Sequence, residues 1–185
     1  RTPMNAIIGV TTLIEHNVNS SDKVLEYVDK IRLSGNHVLG LINEVLDMSK
    51  IESGKTELDT AVFNMEDILS QIETAFKTQT DEKKQKFTVN IPAFQFPWIM
   101  GDSIRLTQVL NNIVSNAVKY TPVGGKINVD VEEIPRDSHK FNKFIFRISD
   151  SGIGMSKEYQ KHIFESFTRE ESSVTNKIQG TGLGM

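Results

Sequence analysis

Apolar residues return at helical intervals along the first third of the chain. Met4, Ile7, Ile8, Ile14 and Val18 fall on one helical period. A polar break over residues 17–21 follows, where Ser21 or Asp22 offers a side-chain oxygen to the orphan N–H groups of a new helix. The second helix is predicted over about residues 22–53. Val24, Ile31, Val38 and Val45 repeat in it every seven residues, with Val28, Gly35 and Ile42 between them. Leu39, Leu41, Leu46 and Met48 widen this stripe beyond a two-stranded seam. A helix this long needs a partner along its whole length, and the first helix is too short to supply one. The pattern predicts an antiparallel hairpin that forms half of a dimeric four-helix bundle, with Gly54 as the helix stop.

Residues 55–61 read as a linker, and the pattern beyond them is mixed. A helix over about residues 65–80 is amphipathic through Ile68, Leu69, Ile72 and Ala75. Phe87, Val89 and Ile91 alternate as in a strand. A helix over residues 102–120 is predicted to bury Ile104, Val109, Leu110, Ile113, Ala117 and Val118. Ile127, Val129 and Val131 alternate, as do Phe144, Phe146 and Ile148. The polar residues 135–142 between these runs predict antiparallel strands. The fold class is α+β: a helical hairpin over residues 1–54, the linker, and a two-layer α/β sandwich over residues 62–185.

Composition narrows the function. The 185 residues are 38% hydrophobic and 24% charged, the balance of a globular chain. No window approaches the roughly 18 consecutive apolar residues of a membrane span, and no signal peptide is visible, so no membrane contact is expected of this segment. With no cysteine there is no disulfide framework, thiol nucleophile or cysteine zinc site. The net charge of −3 argues against a nucleic-acid partner. Lys83, Lys84 and Lys86 sit beside Asp81 and Glu82 and read as a solvated helix end.

Three segments carry candidate chemistry. The first runs from Asn111 through Asn112, Ser115, Asn116, Lys119 and Tyr120 to Thr121-Pro122. Asn112 and Asn116 are four residues apart and share a helix face, with Lys119 close to it. Amide oxygens suit Mg²⁺, a hard cation, while the NH₂ groups and Lys119 suit phosphate oxygens. An ordinary exposed helix face is the competing explanation. The second segment is Asp150-Ser151-Gly152-Ile153-Gly154-Met155. A carboxylate at a strand end can accept from the exocyclic amine of adenine and repel the carbonyl of guanine, and Gly152 and Gly154 permit close backbone approach. A plain turn is the alternative. The third is Gly180-Thr181-Gly182-Leu183-Gly184-Met185, whose N–H groups can cradle phosphates. A flexible tail is the alternative. Phe164 and Phe167 read as core packing, and the polar residues 169–179 as a lid.

In order and spacing these segments resemble the N, G1, F and G2 boxes of the histidine kinase ATP-binding domain. Arg1-Thr2-Pro3-Met4-Asn5-Ala6-Ile7-Ile8-Gly9 resembles the end of the same family's histidine box, His-Asp/Glu-Ile/Leu-Arg-Thr-Pro. The nearest likeness is to the hybrid sensor kinases of bacteria.

The resemblance implies a homodimeric phosphotransfer hairpin joined to a Bergerat-type sandwich. Such a protein binds ATP with Mg²⁺, phosphorylates a histidine, and passes the phosphoryl group to an aspartate on the receiver domain of a response regulator. Asn116 and Asn112 would handle Mg²⁺ and phosphates, Lys119 phosphate charge, Tyr120 the neighbourhood of adenine and Asp150 its amino group. Gly152, Gly154, Gly180, Thr181, Gly182, Leu183 and Gly184 would line the nucleotide, and Phe164 and Phe167 would anchor the lid's entry. Thr2 is either the threonine that orients water for dephosphorylating the regulator or an N-cap before Pro3. The acceptor histidine is expected three residues before Arg1, since none of His16, His37, His139 and His162 stands in the box's context. The family continues past the position of Met185 with a helix and a strand, so the sandwich is expected to be incomplete and this segment alone inactive. A cytoplasmic location follows for the segment, with any plasma-membrane anchor upstream. Two alternatives compete: a nucleotide-binding dimerisation module without transfer, and another ATPase of the sandwich superfamily, of chaperone or mismatch-repair type. The heptad helix before the sandwich speaks against the latter.

Overall fold

The computed structural model describes residues 2–54, 57–134 and 141–165. The chain divides into two units, residues 1–56 and 57–185.

The first unit is a pair of helices, α1 (Thr2–His16) and α2 (Ser21–Glu52). The tight link between them is closed by the N–H of Asn17 on the carbonyl of Ile14 at 3.0 Å and by Asn17 Nδ2 on that of Leu13 at 2.9 Å. So short a link makes the packed helices antiparallel neighbours. α2 half-buries Val24, Tyr27, Ile31, Ser34, Val38 and Leu41. These spacings of three and four residues follow one stripe. The predicted seven-residue repeat is therefore kept at Val24, Ile31 and Val38 but not at Val45, which is exposed, and of the intermediate positions Gly35 is half-buried as expected while Tyr27 and Leu41 stand in place of Val28 and Ile42. Val28 and Ile42 are exposed and belong to a second apolar row with Leu25, Leu39 and Leu46. One boundary expectation fails. Ser20, not Ser21 or Asp22, is the N-cap of α2, and no side chain makes a capping bond there. Thr2 is the first described residue of α1. Helix α2 does stop where glycine was expected to allow it, with Ser53 as C-cap and Gly54 at φ 64°.

The second unit contains β1 (Ala61–Asn64), α3 (Met65–Glu82), β2 (Lys86–Asn90), β3 (Trp98–Gly101), α4 (Ser103–Tyr120), β4 (Lys126–Ile134) and β5 (Lys143–Asp150), followed by a 3₁₀ turn at Tyr159–Lys161. Strand β4 is the middle of a three-stranded sheet. It pairs parallel with β2, Phe87 opposite Ile127, and antiparallel with β5, Val129 opposite Ile148. β1 and β3 form a separate antiparallel pair, Phe63 opposite Ile99. Neither strand of that pair was predicted, because four residues are too few to show a period of two and Ala61 fell in the expected linker.

Helices α3 and α4 cover the three-stranded sheet. Ile68, Ile72, Leu110, Val114, Ala117, Val118, Ile127 and Val129 form the main buried cluster. Met65, Leu69, Phe94 and Val131 form a second. Each Val, Leu, Ile, Met or Phe side chain of these clusters contributes about 1.5–3 kcal/mol by leaving water. The buried line of α4 is Leu110, Val114, Ala117 and Val118, at i, i+4, i+7 and i+8. Ile104, Val109 and Ile113, expected inside, are 73%, 54% and 37% exposed, because they lie to the side of that line. Ala75 of α3 is also exposed, and the core face of α3 runs instead through Met65, Ile68, Leu69, Ile72 and Thr80.

Helix entry is fixed by two caps. Asn64 Oδ1 accepts from the N–H of Glu66 at 2.8 Å at the start of α3. Asp102 Oδ1 accepts from the N–H of Arg105 at 2.9 Å at the start of α4, and its Oδ2 accepts from the N–H of Asp59 at 3.1 Å. The bond from Arg105, and then that from Asp59, hold the Asp102 carboxyl below its ordinary range; partial loss of water works the other way.

Candidate functional site

α4 sets the candidate polar face opposite its core line. Asn112 and Asn116 differ by about 40° around the axis, at 100° per residue. Asn112 is exposed and Asn116 half-buried. Lys119, one turn closer to the C-terminus, holds its Nζ 5.0 Å from the centre of the Tyr120 ring, within cation–π range. Asn112 to Tyr120 spans about 12 Å of helix at 1.5 Å per residue.

The loop leaving β5 closes on the end of this helix. Asp150 is the last residue of β5, paired with Ile127. Its Oδ1 accepts from the N–H of Gly152 at 2.8 Å, the bond of an Asx turn. The N–H of Ile153 donates to the carbonyl of Tyr120 at 3.4 Å. Gly152 is wedged at the junction: a Cβ there would stand 2.8 Å from the Tyr120 carbonyl oxygen and 2.6 Å from Asp150 Oδ1. Ser151 fastens the other side, its N–H donating to the Lys126 carbonyl at 2.9 Å and its Oγ accepting from the N–H of Lys126 at 2.8 Å. Gly154 follows at φ 68°. The first two sequence segments, thirty residues apart at Tyr120 and Asp150, are thus neighbours in space.

Other expected residues fall elsewhere. Phe164 is 84% exposed, so it does no core packing. The side chain of Thr2, and residues Phe167, Gly180, Thr181, Gly182, Leu183 and Gly184, together with the lid at 169–179, lie outside what the structure describes. A groove of about 810 Å³ opens along the other flank of α4, reached by Asn112 but not by Asn116 or Asp150. Trp98 and Ile104 give it an apolar rim, and Asn64, Gln71 and Gln108 a polar one. Near the 3₁₀ turn, His162 Nδ1 lies 2.7 Å from Glu165 Oε1, and that contact, aided by Glu158, holds the imidazole above its ordinary range. Among the described residues no three His, Asp or Glu cluster as a metal site.

The Lys83–Lys86 stretch differs most from expectation. Lys83 is half-buried and donates from Nζ to the Val118 carbonyl at 2.9 Å. Gln85, which the apolar pattern gave no reason to notice, is buried and donates to the carbonyls of Val118 and Thr121.

Residues 1–54 match the family described as His Kinase A (phospho-acceptor) domain, and residues 101–185 match the family of histidine kinase-, DNA gyrase B-, and HSP90-like ATPases. The chain is 34% identical along its whole length to the autoinducer 2 sensor kinase/phosphatase LuxQ of Vibrio vulnificus, and covers 21% of that protein. It is 35% identical, again along its whole length, to the sensor histidine kinase GacS of Pseudomonas protegens, covering 20% of it. The chain therefore spans about a fifth of the length of the curated relatives it matches. Among solved structures, full-length ShkA in complex with AMPPNP superimposes with a TM-score of 0.68 at 26% identity, over all of this chain and 36% of that one. Among the described residues no helix is long and apolar enough to cross a membrane.

Proposed function

The chain belongs to the sensor histidine kinases, and from that premise we propose that it binds Mg-ATP along α4 and supplies the nucleotide half of an autophosphorylation reaction. The observation that carries this reading is the junction of Gly152 and Ile153 with the Tyr120 carbonyl, which puts Asp150 at the foot of the helix that bears Asn112, Asn116 and Lys119. Oδ1 of Asp150 is committed to Gly152, so Oδ2 is the oxygen that accepts from the adenine amine. Tyr120 lies beside the base. About 12 Å of helix then leads to Asn112, a span suited to the rest of a nucleoside triphosphate. Lys119 neutralises phosphate charge, and Asn116 and Asn112 offer amide oxygens.

Those amides fit Mg²⁺ bound chiefly through substrate phosphates, the usual state of a cation that gives up its waters reluctantly. When bound, the ion supplies charge neutralisation at the phosphates. The chain's own part is positioning: a rigid helix face for the polyphosphate and a fixed carboxylate for the base. In the reaction, an imidazole nitrogen forms a bond to the γ-phosphorus, the bond from that phosphorus to the bridging oxygen breaks, ADP leaves, and the imidazole gives up its N–H proton. The phosphoryl group then passes to an aspartate of a response regulator receiver domain.

Residues 1–54 serve as the dimerising hairpin and residues 62–185 as the catalytic unit, joined by the linker at 55–61. The exposed row of Leu25, Val28, Leu39, Ile42 and Leu46 supports dimerisation, since one hairpin leaves it in water. The family's use of ATP supports a cytoplasmic location, with membrane attachment, where it exists, made by other segments. Thr2 is the residue for a phosphatase role.

Incubating the full-length protein with ATP labelled in the γ-phosphate tests the proposal. Label that acid removes and base leaves in place, transferable to a receiver domain, is expected. ATP bound with no label transferred would mark a nucleotide-binding module instead.

A further inference from the structure

α4 ends at Tyr120, and the last carbonyls of a helix have no partner within it. The N–H of Thr121 takes that of Ala117 at 3.0 Å. The carbonyl of Val118 is taken from another element: Lys83 Nζ donates to it at 2.9 Å and Gln85 Nε2 at 3.1 Å. The same Gln85 amide donates to the Thr121 carbonyl at 2.7 Å. Two backbone bonds run alongside, Gly124 N–H to the Lys83 carbonyl at 3.2 Å and Lys86 N–H to the Gly125 carbonyl at 2.8 Å. The turn that makes this possible reverses at Lys84, φ 51°, and closes with the Gln85 N–H on the Thr80 carbonyl at 2.8 Å. The Lys83 ammonium also sits where a helix dipole is negative.

We propose that Gln85, assisted by Lys83, is a positioning residue for nucleotide recognition: by holding the carbonyls of Val118 and Thr121 it sets the Tyr120 carbonyl, and through it the Asp150–Ile153 loop. The proposal rests on the nucleotide reading of α4 given above. Packing alone does not account for a glutamine here. Gln85 is 6% exposed, and its Oε1, like Thr121 Oγ1, has no hydrogen-bond partner among the described residues. An unpaired buried oxygen is destabilising. A methionine would fill the same volume without that unpaired oxygen, at the loss of the donor to the Thr121 carbonyl. What the amide adds is direction: two donors in one plane fix two carbonyls that flank Lys119 and Tyr120. The chain from Gln85 to Asp150 is short, with one bond to Thr121, one peptide back to the Tyr120 carbonyl, and the contact of that carbonyl with Gly152 and Ile153.

Gln85→Met in the full-length protein, which keeps the volume and removes the donors, tests this. Amide hydrogen exchange is read residue by residue, alongside calorimetric titration with Mg-ATP. Exchange at Ile153 is expected to quicken several-fold while that at Val114 holds. The ATP dissociation constant should rise roughly tenfold at unchanged stoichiometry, the effect of losing about one hydrogen bond's worth of orientation. Unchanged exchange at Ile153 overturns the proposal. So does acceleration of all amides together, which would make Gln85 a stability residue only. Faster exchange at Ile153 in a protein that binds no ATP would uphold the coupling and remove the nucleotide reading instead. Should Gln85→Met fail to fold, Lys83→Met leaves the glutamine in place and is expected to give the same pattern at smaller amplitude, with an unchanged Ile153 again overturning it.

Discussion

Gly152 rests against the carbonyl of Tyr120 so closely that a Cβ would stand 2.8 Å from its oxygen. Real Cβ atoms do not sit that near backbone, and a carbonyl on a packed helix end cannot swing away as a long side chain can. Gly152→Ala should therefore push the Asp150 loop off α4. A loss of about 1–3 kcal/mol is expected, the range for inserting a methyl into packed structure. Urea denaturation measures it. An unchanged midpoint would show that the loop yields freely, and that the junction does not fix Asp150.

The core line of α4 gives a contrast between neighbours. Leu110 is 2% exposed and Ile113 37%. Leu110→Ala should cost about 2–5 kcal/mol, the range for truncating a buried leucine. Ile113→Ala should cost clearly less, because its side chain already meets water. Equal losses in denaturant titrations would mean that the helix is rotated from the setting described.

Acid stability should depend on Asp102. Its carboxyl is held below the ordinary range by the N–H groups of Arg105 and Asp59. A group whose folded pKa is depressed adds stability that is present above its unfolded pKa and lost as pH falls through the folded one. Asp102→Asn should lower stability at neutral pH and flatten the decline on acidification below the ordinary aspartate range. Denaturant midpoints across an acidic pH series check this. Parallel curves for the two proteins would remove the role.

His162 carries the opposite sign. Glu165 and then Glu158 raise its pKa, so any stabilisation is fully present below the unfolded value and disappears as pH rises through the folded one. The pair is exposed and the effect small. Nuclear magnetic resonance titration should show the imidazole shift falling in Glu165→Gln, and no change would mean that the contact is not held in solution.

The hairpin makes a separate prediction. Ile42→Glu with Leu46→Glu places charge in the exposed row of α2 while leaving its half-buried row intact. Sedimentation should show a dimer becoming a monomer with its helical signal retained. A dimer that survives would put the self-association face elsewhere.

The helices were largely legible in the sequence, because eighteen residues of α3 or α4 and thirty-two of α2 repeat the apolar period often enough to be seen. Which of two adjacent stripes faces inward was not. Val28 and Tyr27 of α2, or Ile113 and Val114 of α4, differ by one position, and only packing separates them. β1 and β3 were too short to register. The candidate residues Asn112, Asn116, Lys119, Tyr120 and Asp150 could be picked out by side-chain chemistry and by order along the chain. Their support could not. Gln85 and Lys83 act through backbone carbonyls more than thirty residues away, a relation with no sequence signature. Lys83 looked like a solvated charge for the same reason.

The account turns on Asp150 as the group that reads the base. Calorimetric titration of the full-length protein and of Asp150→Asn with Mg-ATP and Mg-GTP measures this directly. The wild-type protein should prefer ATP. In Asp150→Asn, where the second carboxylate oxygen becomes an NH₂ that can donate to the guanine carbonyl, that preference should fall by roughly tenfold or more, as expected when a hydrogen-bonding partner is mismatched. An unchanged preference for ATP in the variant would contradict the account.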